Sequence, residues 1–323
     1  MKTPILVTGG AGYIGSHVSK ALYENGYTPV VFDNLSSGHL HAVQWGPFIE
    51  GDLHDTFALK AAFEKFSPLA VIHLAASINV RESLTNPALY YSNNIGGTLS
   101  LLQAMVDSGV SYIVFSSTAA VYGNPHYLPI DEKHPISPLN AYGKTKYAVE
   151  SMLDDFFQAH GLRSIIFRYF NACGADEEGK IGENHNPETH LIPVIMRTLL
   201  QSGSSLQVYG DDYDTQDGTA IRDYIHVADL AQAHVKAVQY LLNAGENLKL
   251  NLGTGRGHSV KKIIDTIASF TGRDVPYQVQ PRLPCDSPIL VADPRLAQNL
   301  LGWEPIFSDL ATIIKSAWNW HCR

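Results

Sequence analysis

The sequence predicts an α/β fold in which helices cover both faces of a parallel sheet. Short, unbroken apolar runs alternate with helix-like segments through the first half of the 323 residues. Strands that are buried on both faces have this continuous apolar pattern, which is typical of parallel sheets. The length suffices for one large domain or two modest ones.

The predicted elements of the first half follow in regular order. We expect strands at 5–8, 29–32, 70–74, 112–116 and 164–168. A first helix is expected from Tyr13 to about Asn25, where Gly26 ends it. Two longer helical patterns cover about 88–108 and 141–160. This alternation of strand and helix predicts a doubly wound sheet.

The character of the sequence changes after about Ala172. Residues 173–189 are rich in Gly, Asn, Asp and Glu with little periodicity, and we predict a loop there. The remainder mixes helices at about 191–202, 227–243 and 259–271 with short strands such as 206–209. We therefore predict two domains with a cleft between them. Residues 1–172 form the doubly wound domain, and 173–323 form mainly a smaller mixed α/β substrate domain, from which some segments can return to the first.

Charge and cysteine content exclude several classes of protein. The formal net charge of -8 argues against a nucleic-acid partner. The three cysteines are widely spaced and lack CxxC spacing, so we predict neither a disulfide framework nor a metal site. The initial apolar run is too short for a signal peptide, and no stretch approaches 18 apolar residues. We expect a cytoplasmic protein without a membrane partner.

A glycine-rich motif follows the first predicted strand and opens the first helix. Residues 8–15 read TGGAGYIG and contain the pattern GxGxxG. Glycines permit a tight turn and a close approach to a pyrophosphate, and the helix N-terminus offers free N–H groups. An ordinary glycine-rich turn is the alternative, but the strand–turn–helix context favours a Rossmann-type dinucleotide site.

Two acidic residues are candidates for the nucleoside end of such a cofactor. Asp33 lies at the end of the second strand, 18 residues after Gly15, near the spacing of an acid that binds the adenosine ribose. A carboxylate there repels a 2′-phosphate, which favours NAD over NADP, although Asp33 could instead be a turn residue. Asp52, in the segment GDL at 51–53, either accepts a hydrogen bond from the adenine amine or caps the following helix.

Tyr142, Lys146 and Thr118 are the candidate catalytic residues. Tyr142 and Lys146 are four residues apart on a predicted helix and share one face. An ammonium group and the positive charge of NAD⁺ lower a tyrosine pKa from about 10, so that the tyrosine can take a proton from an alcohol. Thr118 ends a strand, where its hydroxyl can hold the reacting oxygen. A plain helix face and a Ser/Thr-rich turn are the alternatives.

Ten short motifs in order carry a resemblance to a known family. The first half holds TGGxGYIG, FDNL at 32–35, SSxAxVYG at 116–123, YGKxK at 142–146 and RYFN at 168–171. The second half holds IGE at 181–183, THLIP at 189–193, DGTxIRDYIHV at 217–227, NLG at 251–253 and VAD at 291–293. Nearly the whole chain thus resembles the UDP-glucose 4-epimerase family of extended short-chain dehydrogenases. The block at 217–227 is far more specific to these epimerases than the glycine motif.

The resemblance implies a role for each matching residue. Tyr142 is the implied acid/base, Lys146 holds the nicotinamide ribose, and Thr118 takes the hydroxyl role. Besides Tyr142 and Lys146, the residues implied at NAD are Gly9, Gly12, Tyr13, Ile14, Gly15, Asp33, Asn34, Asp52, Leu53, Asn94 and Phe170. Besides Thr118, those implied at the UDP-sugar are Asn171, Leu191, Tyr209, Arg222 on the diphosphate, and Asp286. Family members commonly form homodimers through the helices that correspond here to 88–108 and 141–160.

The resemblance also separates an epimerase from its relatives. The 4,6-dehydratases carry an Asp-Glu pair after the active-site threonine, where this chain has Ala119 and Ala120. The implied reaction interconverts UDP-galactose and UDP-glucose through oxidation at sugar C4, rotation of the 4-keto intermediate and hydride return. One alternative is a 4-epimerase of another UDP-sugar, namely UDP-GlcNAc/GalNAc, UDP-glucuronate or a UDP-pentose. A more remote one is a non-catalytic NAD-binding sensor, which Tyr142 and Lys146 disfavour.

Two positions near the C-terminus bear on the substrate. The family pattern PRRxGD reads PRLPCD at 281–286, so Leu283 replaces an arginine that contacts the diphosphate. Loss of a charge-assisted contact weakens binding by roughly 1.5–3 kcal/mol, unless Arg282 compensates. Leu290 stands where the family varies beside the sugar 2-position, and it predicts more room for N-acetylated sugars than a tyrosine would leave.

Overall fold

The computed structural model describes residues 2–201, 203–283 and 286–323. Ser202, at the end of the predicted helix 191–202, and Pro284 and Cys285 of the 281–286 motif lie outside the described residues. The strands are β1 (Thr3–Thr8), β2 (Tyr27–Asp33), β3 (Phe48–Glu50), β4 (Ala70–His73), β5 (Tyr112–Thr118), β6 (Arg163–Tyr169), β7 (Asn171–Cys173), β8 (Leu206–Tyr209), β9 (Ile221–His226), β10 (Leu248–Leu252), β11 (Gly257–Ser259), β12 (Tyr277–Gln280) and β13 (Ile289–Leu290).

Helices connect most of these strands. They are α1 (Tyr13–Glu24), α2 (Thr56–Phe66), α3 (Val80–Thr85), α4 (Pro87–Tyr90), α5 (Gly97–Asp107), α6 (Ala141–His160), α7 (Leu191–Leu200), α8 (Val227–Leu242), α9 (Val260–Thr271), α10 (Arg295–Leu301) and α11 (Leu310–His321). Within the described ranges, no helix combines the length and the apolar character that crossing a bilayer requires.

The main sheet has seven parallel strands in the order β10-β6-β5-β4-β1-β2-β3. Neighbouring residues of one strand enter opposite cores, because side chains alternate across a sheet. Ile5 packs with α1 and α8 on one face, whereas Leu6 packs with α2, α5 and α6 on the other. The predicted Rossmann-type, doubly wound fold is thereby confirmed. The strand order reverses between β1 and β4, and ligands bind at the carboxyl ends of the strands at such a point.

The second half of the chain contributes to both parts of the molecule. Strand β10 pairs with β6 at one edge of the main sheet, and α8 packs against α1. The smaller part contains the sheet of β7, β9, β11 and β13 and the parallel pair of β8 and β12. Helices α7, α9 and α11 cover a separate apolar core there. Residues 174–190 contain neither helix nor strand, as their composition predicts.

The helix predicted over about 88–108 differs from the structure. Helix α4 ends at Tyr90, a π-helical stretch covers Tyr91–Gly96, and α5 begins at Gly97. A π turn adds a residue to the helical repeat and is common at functional sites. Here it carries Asn94, whose buried side chain is turned toward α6.

Candidate active site

The glycine loop lies between β1 and α1 and is held by backbone contacts. Gly9 adopts φ +73°, and its N–H donates to the carbonyl of Phe32 in β2 at 2.9 Å. A Cβ on Gly9 would lie 2.6 Å from the backbone nitrogen of Ala75, and one on Gly15 would lie 2.1 Å from the carbonyl oxygen of Gly9. Only glycine fits these two positions, and the loop therefore keeps its backbone open toward a ligand at the start of α1.

The first turn of α1 presents free N–H groups beside this loop. Gly12 is the N-terminal cap of α1 and makes no side-chain cap. Tyr13 is buried, and its hydroxyl donates to the carbonyl of Gly174 at 2.6 Å, while Ile14 packs on the core beneath α1. The side chains of Tyr13 and Ile14 thus fix the helix, and their backbone remains at its anion-binding end.

Asp33, at the carboxyl end of β2, joins the glycine loop to the next turn. Its carboxylate accepts from the N–H of Ala11 at 3.0 Å and from that of Leu35 at 2.8 Å. Burial raises the pKa of Asp33, and these two hydrogen bonds act in the opposite direction. Asp33 is therefore both the turn residue and an acid beside the glycine loop, so the two readings of its role are compatible.

Asp52 faces the same turn from the end of β3. Its carboxylate accepts from the side-chain amide of Asn34 at 2.7 Å and from the N–H of His54 at 2.9 Å. The cap of α2 is Asp55, which accepts from the N–H groups of Phe57 and Ala58 in the first turn of that helix. The alternative that Asp52 caps α2 is therefore wrong. Leu53 is buried beside the start of α5.

Tyr142 and Lys146 lie on α6, beside the carboxyl end of β5. The Lys146 ammonium donates to the carbonyl of Ser116 at 2.7 Å and lies 6.0 Å from the centre of the Tyr142 ring. Tyr142 is half-buried, and Thr118 lies near enough to its hydroxyl to lower its pKa. The three predicted catalytic side chains thus meet at one end of β5.

Burial sets the proton affinities of this pair. It raises the pKa of Tyr142 to about 12, although the nearby Thr118 hydroxyl acts in the opposite direction. It also lowers the pKa of Lys146 to about 7. The sequence predicts that the Lys146 ammonium lowers the pKa of Tyr142. In the chain alone, burial has the larger effect, and the pKa of Tyr142 therefore lies above its ordinary value. A further positive charge is needed to bring it down.

Asn94 braces the catalytic helix from the π turn. Its side-chain oxygen accepts from the N–H of Ser77 at 2.8 Å, and its amide donates to Thr145 on α6 at 3.1 Å. Asn94 is almost fully buried, so its side chain locks the loop after β4 to the turn of α6 between Tyr142 and Lys146.

A buried polar network that the sequence does not reveal holds α6 on the sheet. Glu150, one turn after Lys146, forms a two-pronged ion pair with Arg168 of β6, at 2.6 and 3.1 Å. The same carboxylate accepts from Ser117, the neighbour of Thr118, at 2.5 Å. Arg168 also donates to Tyr122 at 2.9 Å. The pairing is charge-assisted and bidentate, which fixes its geometry closely. In the sequence, this network is signalled only by Glu150 and Arg168, two ionisable residues among the apolar residues of α6 and β6.

The predicted sugar-side residues come from several elements. Phe170 is buried in a small apolar cluster with Tyr122 and Ala292, against which Leu290 packs. Asn171 begins β7, and Leu191 is the first residue of α7. Asn171 thus follows closely after the carboxyl end of β6, and Leu191 packs against the apolar core of the smaller part.

Charged side chains form pairs around the predicted diphosphate position. Arg222 of β9 pairs directly with Asp286, and the hydroxyl of Tyr213 lies 3.5 Å from the same carboxylate. Arg282 stacks over the Tyr213 ring, 4.3 Å from its centre, and donates to Asp212 at 2.6 Å. Arg222 and Asp286 thus form an ion pair with each other in the chain alone. Leu283 is half-buried and adds no charge.

Tyr209, at the end of β8, makes a contact across the cleft. The guanidinium of Arg81 on α3 lies 4.4 Å from the centre of its ring and donates to its hydroxyl at 3.3 Å. Arg81 is a cation at the cleft that the sequence motifs do not include.

Comparison with known proteins identifies close relatives. A model of the NAD dependent epimerase/dehydratase family matches residues 5–253. The chain is 50% identical over 319 residues to a UDP-glucose 4-epimerase from Rhizobium leguminosarum bv. trifolii. The aligned residues make up 99% of this chain and 97% of that protein.

Solved structures agree in fold over the same length. The structure of UDP-glucose 4-epimerase from Brucella ovis in complex with NAD is 53% identical with a TM-score of 0.96, and 98% of each chain is covered. That of UDP-glucose 4-epimerase from Bifidobacterium longum in complex with NAD⁺ and UDP is 36% identical with a TM-score of 0.95, covering 99% of this chain and 98% of that one.

Proposed function

Because the chain belongs to the NAD dependent epimerase/dehydratase family, we propose that it is the enzyme that interconverts UDP-galactose and UDP-glucose. One observation carries this proposal: Tyr142, Thr118 and Lys146 lie together at the carboxyl end of β5. The glycine loop follows β1 at the same edge of the sheet. The relatives named above favour UDP-glucose over the other UDP-sugars, and an intact acid/base pair argues against a non-catalytic sensor.

The glycine loop and its neighbours fit NAD. Side chains at Gly9 or Gly15 would collide with backbone, so this end of β1 is shaped for a close ligand. The open N-terminus of α1 suits the pyrophosphate, and Asp33 suits ribose hydroxyls rather than a 2′-phosphate. We assign Asn34, Asp52 and Leu53 to the adenosine end, and Asn94 and Phe170 to the nicotinamide end. NAD, when bound, supplies the acceptor and donor of the hydride at sugar C4.

Tyr142 performs the proton transfer in this proposal. Its phenolate takes the proton of the sugar 4-hydroxyl during oxidation, and the hydroxyl so formed gives the proton back during reduction. Thr118, at the end of β5 beside Tyr142, holds the reacting oxygen with its hydroxyl. Burial raises the pKa of Tyr142, and the positive charges of the Lys146 ammonium and the nicotinamide together lower it.

The residues after Thr118 limit the outcome to epimerisation. Ala119 and Ala120 carry no group that could move protons at neighbouring sugar carbons. The same Tyr142 serves both half-reactions, so a change of configuration at C4 requires the 4-keto sugar to turn over before reduction. The diphosphate anchors the sugar during this turn.

We assign UDP-sugar binding mainly to residues 173–323, and the cofactor to 1–172. Arg222 faces the diphosphate once its pairing with Asp286 yields to the ligand, and Asp286 then serves the uridine ribose. Arg282 and Asp286 both contact Tyr213, which supports Arg282 as a second cation near the position that Leu283 leaves uncharged. Asn171, Leu191 and Tyr209 complete the sugar and nucleotide contacts.

We also infer a cytoplasmic homodimer. NAD and nucleotide sugars are intracellular metabolites, which supports the location. Exposed apolar side chains lie on the helical surface formed by α4, α5 and α6, and they suit pairing of two copies. They are Leu89, Tyr91, Leu99 and Tyr147.

The proposal is tested by incubating the purified protein with UDP-galactose without added NAD. We expect UDP-glucose to form, because the cofactor stays with the protein, and we expect Tyr142→Phe to abolish its formation. Failure of the wild type even with added NAD would contradict the proposal, and a panel of other UDP-sugars would then identify the alternative substrate.

A further inference from the structure

Four side chains of the ligand types that transition metals prefer meet in the loop before α7. Residues 183–190 place Glu183, His185, Glu188 and His190 so that one ligand atom of each lies within 4.8 Å of all the others. Across residues 2–201, 203–283 and 286–323, this is the only such group of three or more. It lies outside the catalytic residues assigned above.

Three of the distances between these atoms lie near the ligand spacing of a tetrahedral cation. The Nδ1 atom of His185 lies 3.3 Å from a Glu183 oxygen and 3.7 Å from a Glu188 oxygen. The Nδ1 atom of His190 lies 3.9 Å from the same Glu188 oxygen and contacts Glu183 directly. Zinc bonds of about 2.0–2.1 Å separate tetrahedral ligand atoms by about 3.4 Å. The Nδ1 atom of His190 and the Glu183 oxygen are closer than this spacing, so these two side chains must move apart when the ion binds.

Burial and charge favour a cation at this point. The side chains of Glu183 and Glu188 are only 3% and 2% exposed, so two carboxylates are withdrawn from water here. Among the described residues, Glu183 forms ion pairs with the two histidines only, and Arg197 approaches Glu188 at 3.7 Å. Buried carboxylates need compensation, and a divalent cation with two neutral histidines balances two negative charges.

The backbone that carries these ligands is fixed from several directions. Trp320 of α11 donates to the carbonyl of Glu183 at 3.0 Å. His39 contacts the carbonyl of Asn184 at 2.8 Å, and Arg197 of α7 donates to that of His185 at 3.1 Å. Ligands on a held backbone form a closed site with four protein donors, which is typical of structural rather than catalytic zinc.

We propose that Glu183, His185, Glu188 and His190 bind one Zn²⁺ ion with a structural role. Imidazole and carboxylate ligands select zinc over magnesium and calcium, which prefer oxygen alone. The His185 ring packs edge-on against Tyr13, with ring centres 6.3 Å apart, and both line a small cavity beside Gly12. The ion would therefore join His190, which precedes α7, to Glu183 and His185, the part of the loop that packs against Tyr13 beside the glycine loop.

Metal content provides the first test and needs no assay of activity. Protein made without an affinity tag is stripped with a chelator, exposed to ZnCl₂ and passed through a desalting column. We expect about one zinc per chain by mass spectrometry, and less than about a tenth of that in His190→Ala, whose side chain is 45% exposed and replaceable without loss of the fold. His160→Ala, at the exposed end of α6, is the matched control and should bind like the wild type.

Thermal unfolding separates a metal site from a set of ion pairs. At a hundredfold excess of ZnCl₂ over its Kd, Tm should rise by about 4 °C in the wild type and in His160→Ala. It should not rise in His190→Ala or Glu183→Gln, whatever their Tm without metal. Three results would each overturn the proposal. They are a wild type that retains no zinc, a His190→Ala variant that retains as much zinc as the wild type, and a rise of Tm with MgCl₂ as large as that with ZnCl₂.

Discussion

The two sides of the cleft are held in different ways. On the cofactor side, Gly9 and Gly15 touch backbone, and Lys146 is buried against Ser116. On the diphosphate side, Arg222 and Arg282 pair with nearby carboxylates near the surface. The cofactor side is thus built into the core of the sheet, whereas we expect the long side chains of the proposed diphosphate side to exchange partners when a ligand binds. Changes on the first side should abolish function or stability, and changes on the second should adjust affinity.

The largest effect is expected from removal of the Tyr142 hydroxyl. Tyr142→Phe keeps the ring but loses the proton-transfer group, so kcat should fall by about 10²–10⁴-fold. Steady-state conversion of UDP-galactose measures this, and Tyr147→Phe, at an exposed position of the same helix, should keep its rate. A Tyr142→Phe enzyme with more than a tenth of the normal rate would remove Tyr142 from the acid/base role.

Loss of the buried ion pair behind α6 should be the largest stability effect. Glu150→Gln leaves Arg168 buried without its carboxylate, which costs about 3–5 kcal/mol. Urea unfolding gives the change in free energy. Glu64→Gln breaks a 3.8 Å surface pair with Lys60 and should change it by less than about 1 kcal/mol. Equal losses in the two variants would mean that the network does not fix α6.

A smaller loss is expected when the glycine loop is filled. Gly15→Ala forces a Cβ against the carbonyl of Gly9, and such overpacking costs typically about 1–3 kcal/mol. NAD recovered from the denatured protein should fall as well. Gly26→Ala adds a Cβ with nothing within 4 Å. It should therefore keep its NAD despite some backbone strain, and equal NAD loss in both variants would count against a shaped cradle at Gly15.

The smallest effect is expected on the diphosphate side. Leu283→Arg adds a charge beside Arg222 and Arg282, so UDP should bind about tenfold more tightly, which is about 1.4 kcal/mol. Titration calorimetry with UDP measures the change. Leu296→Arg adds the same charge at an exposed site on α10 and should leave the Kd unchanged. An equal gain in both variants would show a general charge effect.

The sequence predicts the cofactor side well because its signals are local. Apolar runs find β1, β2, β5 and β6, and the glycine motif finds the start of α1. Helix α6 matches its predicted range of 141–160. These features depend on contacts between residues that are close along the chain or on strands that are buried on both faces.

Features that depend on distant partners were beyond the sequence patterns. The π turn at Tyr91–Gly96 has the same apolar spacing as an ordinary helix, and only its contacts with Ser77 and Thr145 distinguish it. The pairing of Glu150 with Arg168 spans two elements. The pKa of Tyr142 depends on burial that spacing does not report. The metal ligands at 183–190 are an exception, because their ExHxxExH pattern is visible in sequence, but within a segment that the composition predicts only as a loop.

The central claim is that hydride leaves sugar C4 and returns to the same carbon of the same molecule. The most direct measurement uses UDP-galactose with deuterium at C4, the purified protein and no added NAD, followed by mass spectrometry of the UDP-glucose formed. The account predicts that the product keeps the deuterium at C4, because the label passes as hydride to the bound cofactor and back. Replacement of the label by hydrogen from water would contradict it, since C4 would then exchange a proton with solvent.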